Sequence, residues 1–191
     1  MAMTQASSAL PNCVVIDANV PIAIAANELG APNATSAINH YLAQQCDFSA
    51  PGAIVAEVLY VLCGKEHDGS LTASEYQQAI EDFALFMSMV NSPPGGDGSL
   101  VRRAAGVRGT YTCRRSADGI YIALAEALAT SYRTVLLTLD ENMAKQSACF
   151  ARNHCSSFDS LNEQRFICRQ RRGGSWRCRL RRRWARRVRR C

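Results

Sequence analysis

Four acidic residues occupy positions at which the surrounding pattern predicts burial. Asp17 directly follows a short β-branched run, CVVI over 13–16, and Asp140 directly follows the run TVLLTL over 134–139. Such runs are typical of buried parallel strands. Because ligands bind beyond the carboxyl ends of the strands in open parallel sheets, we expect both carboxylates to face one crevice.

Glu57 is the only charged residue between Ala50 and Gly64, in a stretch whose apolar spacing predicts a helix. A carboxylate within an apolar helix is costly to bury, so it must pair, bind a cation or take up a proton. Since no Lys or Arg lies nearby in the sequence, the pairing alternative requires a distant arginine such as Arg114 or Arg115.

Asp118 lies in the first turn of a helix predicted over 117–129, which Ser116 is suited to cap. The helix dipole favours an ionised acid there, so Asp118 alone is compatible with a surface acid that complements the dipole. Asp17 and Asp140 have a similar alternative, because an acid after a strand can cap the next helix. The coincidence of four such acids favours a shared site over four separate structural roles.

The chemistry that four clustered carboxylates support best is the binding of a hard divalent cation. Mg²⁺ and Mn²⁺ prefer carboxylate and water oxygens and often share them with a substrate phosphate. One or two such ions can activate a water and stabilise the leaving oxygen during phosphodiester hydrolysis. Asn19 follows Asp17 by two residues, and Thr138 precedes Asp140 by two on the same strand face. Both side chains are placed to orient that water or a carboxylate.

The elements that must position these acids alternate between strands and helices. Strands are predicted over 13–16, 47–50 and 134–139, with a weaker last strand near 153–158. Helices are predicted over 20–29, 34–45, 53–63, from a capping box at 72–75 to about 90, over 100–105 and 117–129, and from about 141. This alternation predicts an α/β sandwich with a central, mostly parallel sheet.

The composition narrows the class of protein. The 191-residue chain fits a single domain with a tail, and its hydrophobic fraction of 48% excludes a wholly disordered protein. No apolar run reaches the about 18 residues of a membrane span, and the start lacks the pattern of a signal peptide, so a cytoplasmic protein is expected. Nine cysteines without a C-x-x-C pair favour reduced, mostly structural thiols over a zinc site or a disulfide framework.

The net charge of +6 combines an acidic body with a basic tail. Residues 1–163 hold nine Lys and Arg against all 16 acids, whereas residues 164–191 hold 13 Arg and no acid. Such a run of like charges predicts disorder unless a polyanion is bound. Three interpretations stay open: an RNA-binding arm in which Trp176 and Trp184 stack on bases, a segment on an anionic membrane surface, and a segment translated out of frame.

Four segments together resemble the PIN-domain nucleases and, within them, the VapC-type toxins of toxin–antitoxin pairs. They are VVIDANVPI (14–22), SAPGAIVAEVLYVL (49–62), SADGIYIALAEAL (116–128) and VLLTLDENMAKQ (135–146), of which the last two are the most specific. The resemblance covers roughly residues 12–147. It implies a PIN-like α/β/α sandwich as a nuclease domain over 12–160, after an N-terminal extension at 1–11 and before an Arg-rich tail at 161–191.

Under this resemblance the four acids match the acidic quartet of the family. The matching residues are Asp17, Glu57, Asp118 and Asp140. The family implies Mg²⁺- or Mn²⁺-dependent cleavage of RNA by these ligands, with Asn19 and Thr138 at polar positions that often accompany the quartet. It also implies a homodimer that a small antitoxin protein inhibits by covering the active-site groove.

One segment departs from the family pattern. Residues 106–115, GVRGTYTCRR, form a longer and more basic link before the third acid than is usual. Arg114 and Arg115 within this link are candidates to bind substrate phosphate or the antitoxin. A solvated loop is the alternative interpretation.

Two functions from different classes therefore compete. The first is a metal-dependent ribonuclease, and the second is a non-catalytic PIN-fold scaffold or RNA-binding module that holds RNA through the basic tail. Truncation after about residue 160 separates them. For the enzyme, we expect Mn²⁺-dependent RNA cleavage to survive the truncation and to be abolished by EDTA. Loss of RNA binding on truncation, with no cleavage by either form, would instead support the scaffold.

Overall fold

The apolar run CVVI forms the central strand of a parallel sheet, and all four of its residues are buried. The computed structural model describes residues 12–110, 118–141 and 143–144, together with the strands at 155–157, 166–170 and 176–180. The strands of the central sheet are β1 (Cys13–Ile16), β2 (Asp47–Ser49), β3 (Val90–Asn91), β4 (Thr134–Thr138) and β5 (Cys155–Ser157). Their order across the sheet is β3-β2-β1-β4-β5.

All four pairings in this sheet are parallel. Cys13 lies opposite Asp47 on one side and opposite Thr134 on the other, so β1 is hydrogen-bonded along both edges. A strand that is covered on both faces and both edges must be apolar throughout, which explains the unbroken β-branched run. The predicted α/β fold with a mostly parallel sheet is confirmed.

Helices flank the sheet in two groups. They are α1 (Asn19–Ala25), α2 (Ala31–Ala43), α3 (Ala53–His67), α4 (Ala73–Met87), α5 (Val101–Thr110) and α6 (Asp118–Leu128). The first group is built around α1, which contacts α2, α3 and α4, whereas α5 contacts α6, and α6 contacts β1 and β4. With the right-handed connections that parallel strands adopt, the two groups cover opposite faces of the sheet.

The direction of the chain across the sheet reverses at β1. The path runs from β1 to β2 and β3 on one side, and then crosses to β4 and β5 on the other. Such a reversal opens a crevice beyond the carboxyl ends of the two strands that flank it, here β1 and β4. Asp17 directly follows β1 and Asp140 follows β4 by two residues, so both acids lie at this crevice.

Helix α4 begins as its sequence predicts and ends earlier. The Thr72 side chain accepts a hydrogen bond from the Glu75 amide, and the Glu75 carboxylate accepts one from the Thr72 amide at 2.8 Å, which is the predicted capping box. The helix was expected to reach Val90, but it ends at Met87. Val90 instead lies in β3, where it pairs with Phe48 of β2. A β-branched residue is favoured in strands, and the apolar spacing that places Val90 on a helix face is also compatible with a strand.

Helix α3 extends four residues beyond the predicted 53–63 and is less buried than its composition suggests. One face buries Ile54, Val58 and Leu62, whereas Tyr60 on the opposite side is 81% exposed. Glu57 lies between these two faces and is partly buried.

The Arg-rich tail, for which the sequence predicts disorder, contains two short strands. These are β6 (Phe166–Gln170) and β7 (Trp176–Leu180), which pair antiparallel with Cys168 opposite Cys178. In β7, Arg177 and Arg179 alternate with less polar residues, and this period of two is typical of a strand. The remaining residues of 161–191, and the predicted extension at 1–11, lie outside the described residues.

No helix within the described residues is long and apolar enough to cross a membrane.

The core of the sheet is expected to contribute strongly to stability. Leu137 in β4 is 0% exposed, whereas Leu85 on α4 is 70% exposed. We expect Leu137→Ala to lower the free energy of unfolding by about 2–5 kcal/mol, since it removes buried methyl groups and leaves a cavity. Leu85→Ala, the matched control, should change it by no more than about 0.5 kcal/mol. Urea unfolding measures both, and equal losses would contradict the assigned core.

Candidate active site

The hydroxyl of Thr138 organises the end of the crevice between β1 and β4. Its Oγ1 accepts hydrogen bonds from Asn19 Nδ2 at 3.1 Å and from the Asp140 amide at 3.0 Å. The same oxygen donates to Asp17 Oδ2 at 2.6 Å. A threonine hydroxyl has two acceptor lone pairs and one proton, so all three are used. The two incoming donors therefore direct the single proton of Thr138 towards the carboxylate of Asp17.

Asn19 joins the start of α1 to the end of β4. Its Oδ1 accepts a hydrogen bond from the Leu139 amide at 2.9 Å, while its Nδ2 donates to Thr138. Asn19 is the first residue of α1, and Ala18 occupies the N-cap position without a side-chain cap. The carboxylate of Asp17 also accepts a hydrogen bond from the Ala18 backbone, at the start of α1. Thr138, oriented by Asn19, is the second group that fixes the position of that carboxylate.

Tyr121 positions Glu57 and was not singled out from the sequence. The Tyr121 hydroxyl donates to Glu57 Oε2 at 3.3 Å, and the side chain of Tyr121 is fully buried. Burial raises the pKa of Tyr121 above its ordinary value, so the hydroxyl keeps the proton that it donates. The signal in the sequence is the spacing of Tyr121 three residues after Asp118, which places both on one helix face.

Three of the four predicted acids influence one another. Burial is the main cause that raises the pKa of Asp17 to about 7; the charges of Asp118 and Glu57 raise it further, and the hydrogen bond from Thr138 opposes the rise. Burial also raises the pKa of Glu57, with the charge of Asp118 adding to it and the hydrogen bond from Tyr121 opposing it. The structure therefore brings Asp17, Glu57 and Asp118 into one electrostatic cluster, with Asp118 as the first residue of α6.

No Lys or Arg within the described part of the chain forms an ion pair with Asp17 or Glu57. The ion pairs found there join Lys65 to Glu28 and Arg103 to Glu126, on other parts of the surface. Arg114 and Arg115, which are predicted to bind phosphate and are the alternative partners of Glu57, lie outside the described residues.

Asp140 is held by the turn that follows it. Its Oδ1 accepts a hydrogen bond from the Met143 amide at 3.4 Å, and its carbonyl accepts one from the Ala144 amide at 2.9 Å. Asp140 thus caps the helical turn that follows β4, as one of its two interpretations expects. Its amide also bonds to Thr138, so the residue is attached to the same network as Asp17.

The donor chemistry of the cluster fits a hard divalent cation, but the ligands are not gathered into a preformed set. Carboxylates with raised pKa values and no cationic partner are the groups that a bound Mg²⁺ or Mn²⁺ would stabilise. Among the residues that the structure describes, no group of three or more His, Cys, Asp or Glu side chains is arranged to hold a metal ion.

Sequence comparisons add no identification. No protein-family model matches the chain, and no curated protein matches it in sequence. The resemblance to PIN-domain nucleases therefore depends on the four segments that carry it and stays a prediction.

The buried carboxyl of Asp17 makes stability depend on pH. Since its pKa is raised from 3.8 to about 7 in the folded protein, its contribution to stability is fully present below about pH 4 and is lost as the pH rises through 7. At about 1.4 kcal/mol for each pKa unit, the loss is on the order of 4 kcal/mol. In EDTA we therefore expect Asp17→Asn to be more stable than the wild-type protein at about pH 8, because the amide oxygen still accepts from Thr138 without a charge.

Urea unfolding between about pH 4 and pH 8 measures this difference. Asp47→Asn is the control, since Asp47 is an exposed acid at the amino end of β2. A difference between Asp17→Asn and wild type that stays constant across this range would contradict the raised pKa.

Proposed function

We propose that this protein is a divalent-metal-dependent endoribonuclease that resembles the toxin component of a toxin–antitoxin pair. The observation that supports the proposal most strongly is the buried carboxylate of Asp17, at the end of β1 where the direction of the chain across the sheet reverses. It shares its surroundings with Glu57 and Asp118, and none of the described Lys or Arg residues forms an ion pair with it. A buried anion in such surroundings is costly to the fold, and a functional requirement for it explains why it is kept.

A cation is the partner that the carboxylates of Asp17 and Glu57 support best. Asp17, Glu57 and Asp118 would hold Mg²⁺ or Mn²⁺, with Asp140 as a further ligand after a change at the turn that it caps. When bound, the cation would supply an activated water and neutralise charge on the phosphate during phosphodiester hydrolysis. Carboxylate oxygens are the ligands that both ions prefer, and their number leaves open sites for the substrate.

The remaining polar side chains hold these ligands in position. Thr138 directs its proton to Asp17, and the Ala18 backbone bonds to the same carboxylate, so its orientation is fixed while lone pairs are left for a cation. Tyr121 gives Glu57 a neutral hydrogen-bond donor, which orients its carboxylate without neutralising it. Hydrogen-bond partners of this kind, which contact the ligands and not the ion, orient the ligands and set the affinity of the site for the metal.

RNA is the proposed substrate, and the resemblance supports it. Because an acidic crevice repels phosphate, the cation would have to bind before RNA. Arg114 and Arg115 are proposed to contact the phosphate backbone next to Asp118, where a guanidinium can offset phosphate charge. A homodimer and a small inhibitory antitoxin are further proposals from the resemblance.

A non-catalytic PIN-fold module that binds RNA through its tail is the second candidate. Two observations favour it: the described acids form no preformed metal-binding group, and Asp140 is engaged as a helix cap. The mutual electrostatic influence of Asp17, Glu57 and Asp118 weighs more, because a scaffold has no need to keep acids close enough to raise one another's pKa.

Loss of either of two carboxylates should remove activity without unfolding the protein. We expect Asp17→Asn and Asp118→Asn to lower Mn²⁺-dependent RNA cleavage by at least about a hundredfold, more than the loss of an outer-shell partner costs. Their circular dichroism should match wild type. Mn²⁺ should raise the melting temperature of wild type but not of the variants, since only a protein that binds the ion is stabilised by it.

Asp47→Asn serves again as the control, because it removes one acid from the opposite end of the sheet. Full Mn²⁺-dependent cleavage by purified Asp17→Asn and Asp118→Asn would overturn the proposed mechanism.

A further inference from the structure

Asp97 makes a two-pronged contact with the start of the helix that carries Glu57. Its Oδ1 accepts a hydrogen bond from the Gly52 amide at 2.8 Å, and its Oδ2 accepts one from the Ala53 amide at 3.1 Å. These amides open α3, where the residue at the N-cap, Gly52, has no side chain to cap them. A residue 45 positions away in the sequence therefore satisfies two donors that the helix itself leaves free.

The loop before Asp97 is built to bring its carboxylate to α3. Gly95 and Gly96 have φ angles of 78° and 69°, which side chains larger than hydrogen adopt at a cost. The Ser99 hydroxyl lies within hydrogen-bond distance of the carbonyls of Pro94, at 3.0 Å, and Gly96, at 2.7 Å. The loop is thus held by its own hydrogen bonds on both sides of Asp97.

The fit between this loop and α3 is close. A Cβ added at Gly52 would lie 3.3 Å from Asp97 Oδ2, so a larger residue there would crowd the carboxylate. The small residue at the N-cap leaves space for a capping group from outside the helix.

The pair of hydrogen bonds from Asp97 to the Gly52 and Ala53 amides, here called the clamp, also connects two elements of the candidate site. Asp97 begins a 3₁₀ turn, Asp97–Leu100, and this turn contacts α6, the helix that carries Asp118 and Tyr121. Glu57 lies one helical turn after Ala53, so the position of the first turn of α3 sets the position of its carboxylate. Asp97 thus links α3 to α6, the helix whose Tyr121 donates a hydrogen bond to Glu57.

We propose that Asp97 is a positioning residue, whose bidentate contact with the Gly52 and Ala53 amides holds the first turn of α3 so that Glu57 lies against Tyr121 beside Asp118. The role in cation binding rests on the proposed function, whereas the effect on α3 does not. Asp97 itself does not touch the ion or the substrate.

Thr72 provides a matched control for the test. It caps α4, which has 15 residues like α3, through its own hydrogen bonds with Glu75. Loss of either cap should lower the melting temperature by a few degrees, since each variant exposes helix-terminal amides. Asp97→Ala and Thr72→Ala therefore differ mainly in whether the affected helix carries a residue of the site.

The first measurement is amide hydrogen exchange in the full-length protein without metal. We expect exchange of residues 53–57 to accelerate in Asp97→Ala and to remain at the wild-type rate in Thr72→Ala. Asp97→Asn, which retains one accepting oxygen, should fall between wild type and Asp97→Ala. Unchanged exchange of residues 53–57 in Asp97→Ala would overturn the clamp, whether or not the protein is a nuclease.

The second measurement is the Mn²⁺ concentration that gives half-maximal stabilisation and half-maximal RNA cleavage. Asp97→Ala should raise both concentrations by roughly threefold to tenfold. Loss of a residue that directly orients a metal ligand lowers metal affinity by about tenfold to a hundredfold, and Asp97 acts on Glu57 only through the helix. Thr72→Ala should leave both unchanged. In a Glu57→Gln background the effect of Asp97→Ala should disappear, because residues that act through one another are not additive.

The outcomes distinguish the two proposals. If wild type shows no Mn²⁺ effect while exchange at 53–57 responds to Asp97→Ala, the nuclease proposal fails and the clamp stands. If wild type responds to Mn²⁺ but Asp97→Ala and Thr72→Ala are equally affected, Asp97 is a structural cap and the positioning role is wrong.

Discussion

The physical constraint at the centre of this structure is an acid, Asp17, held at the buried end of the central strand. Its carboxylate lies in the crevice between β1 and β4, next to two other acids, and its pKa is raised by burial and by their charges. The hydroxyl of Thr138 is the main group that opposes this rise, and Asn19 and the Asp140 amide fix the direction in which that hydroxyl donates. An arrangement that costs stability in this way is typical of a functional site rather than of a packed core.

The fold delivers the acids to this point by connecting distant parts of the chain. The reversal of strand order at β1 opens the crevice, α3 brings Glu57 from one helical layer, and α6 brings Asp118 and Tyr121 from the other. Neither layer alone forms the cluster. The capping of α3 by Asp97 joins the loop before α5 to the helix of Glu57, so the geometry of the site depends on a residue that takes no part in its chemistry.

Local patterns predict β1, β2, β4 and β5 and most of the helices, because β-branched runs and apolar spacing record which faces are buried, but they predict neither β3 nor the two strands of the tail. The end of α4 could not be predicted, since Val90 fits both the helical face and a sheet edge, and only the neighbouring strand decides between them. The candidate acids stood out as charges within apolar surroundings. Tyr121 and Asp97 did not, because a buried tyrosine looks like a core residue and an acid in a glycine-rich loop looks like solvent-exposed surface. Their roles arise from partners 64 and 45 positions away.

The most direct test of this account is a crystal of the protein soaked in Mn²⁺ and measured for anomalous scattering. We expect one or two anomalous peaks within coordination distance of Asp17, Glu57 and Asp118, with Thr138 still donating to Asp17. The account is contradicted if the crevice binds no ion at saturating Mn²⁺ and an arginine such as Arg114 or Arg115 neutralises Glu57 instead.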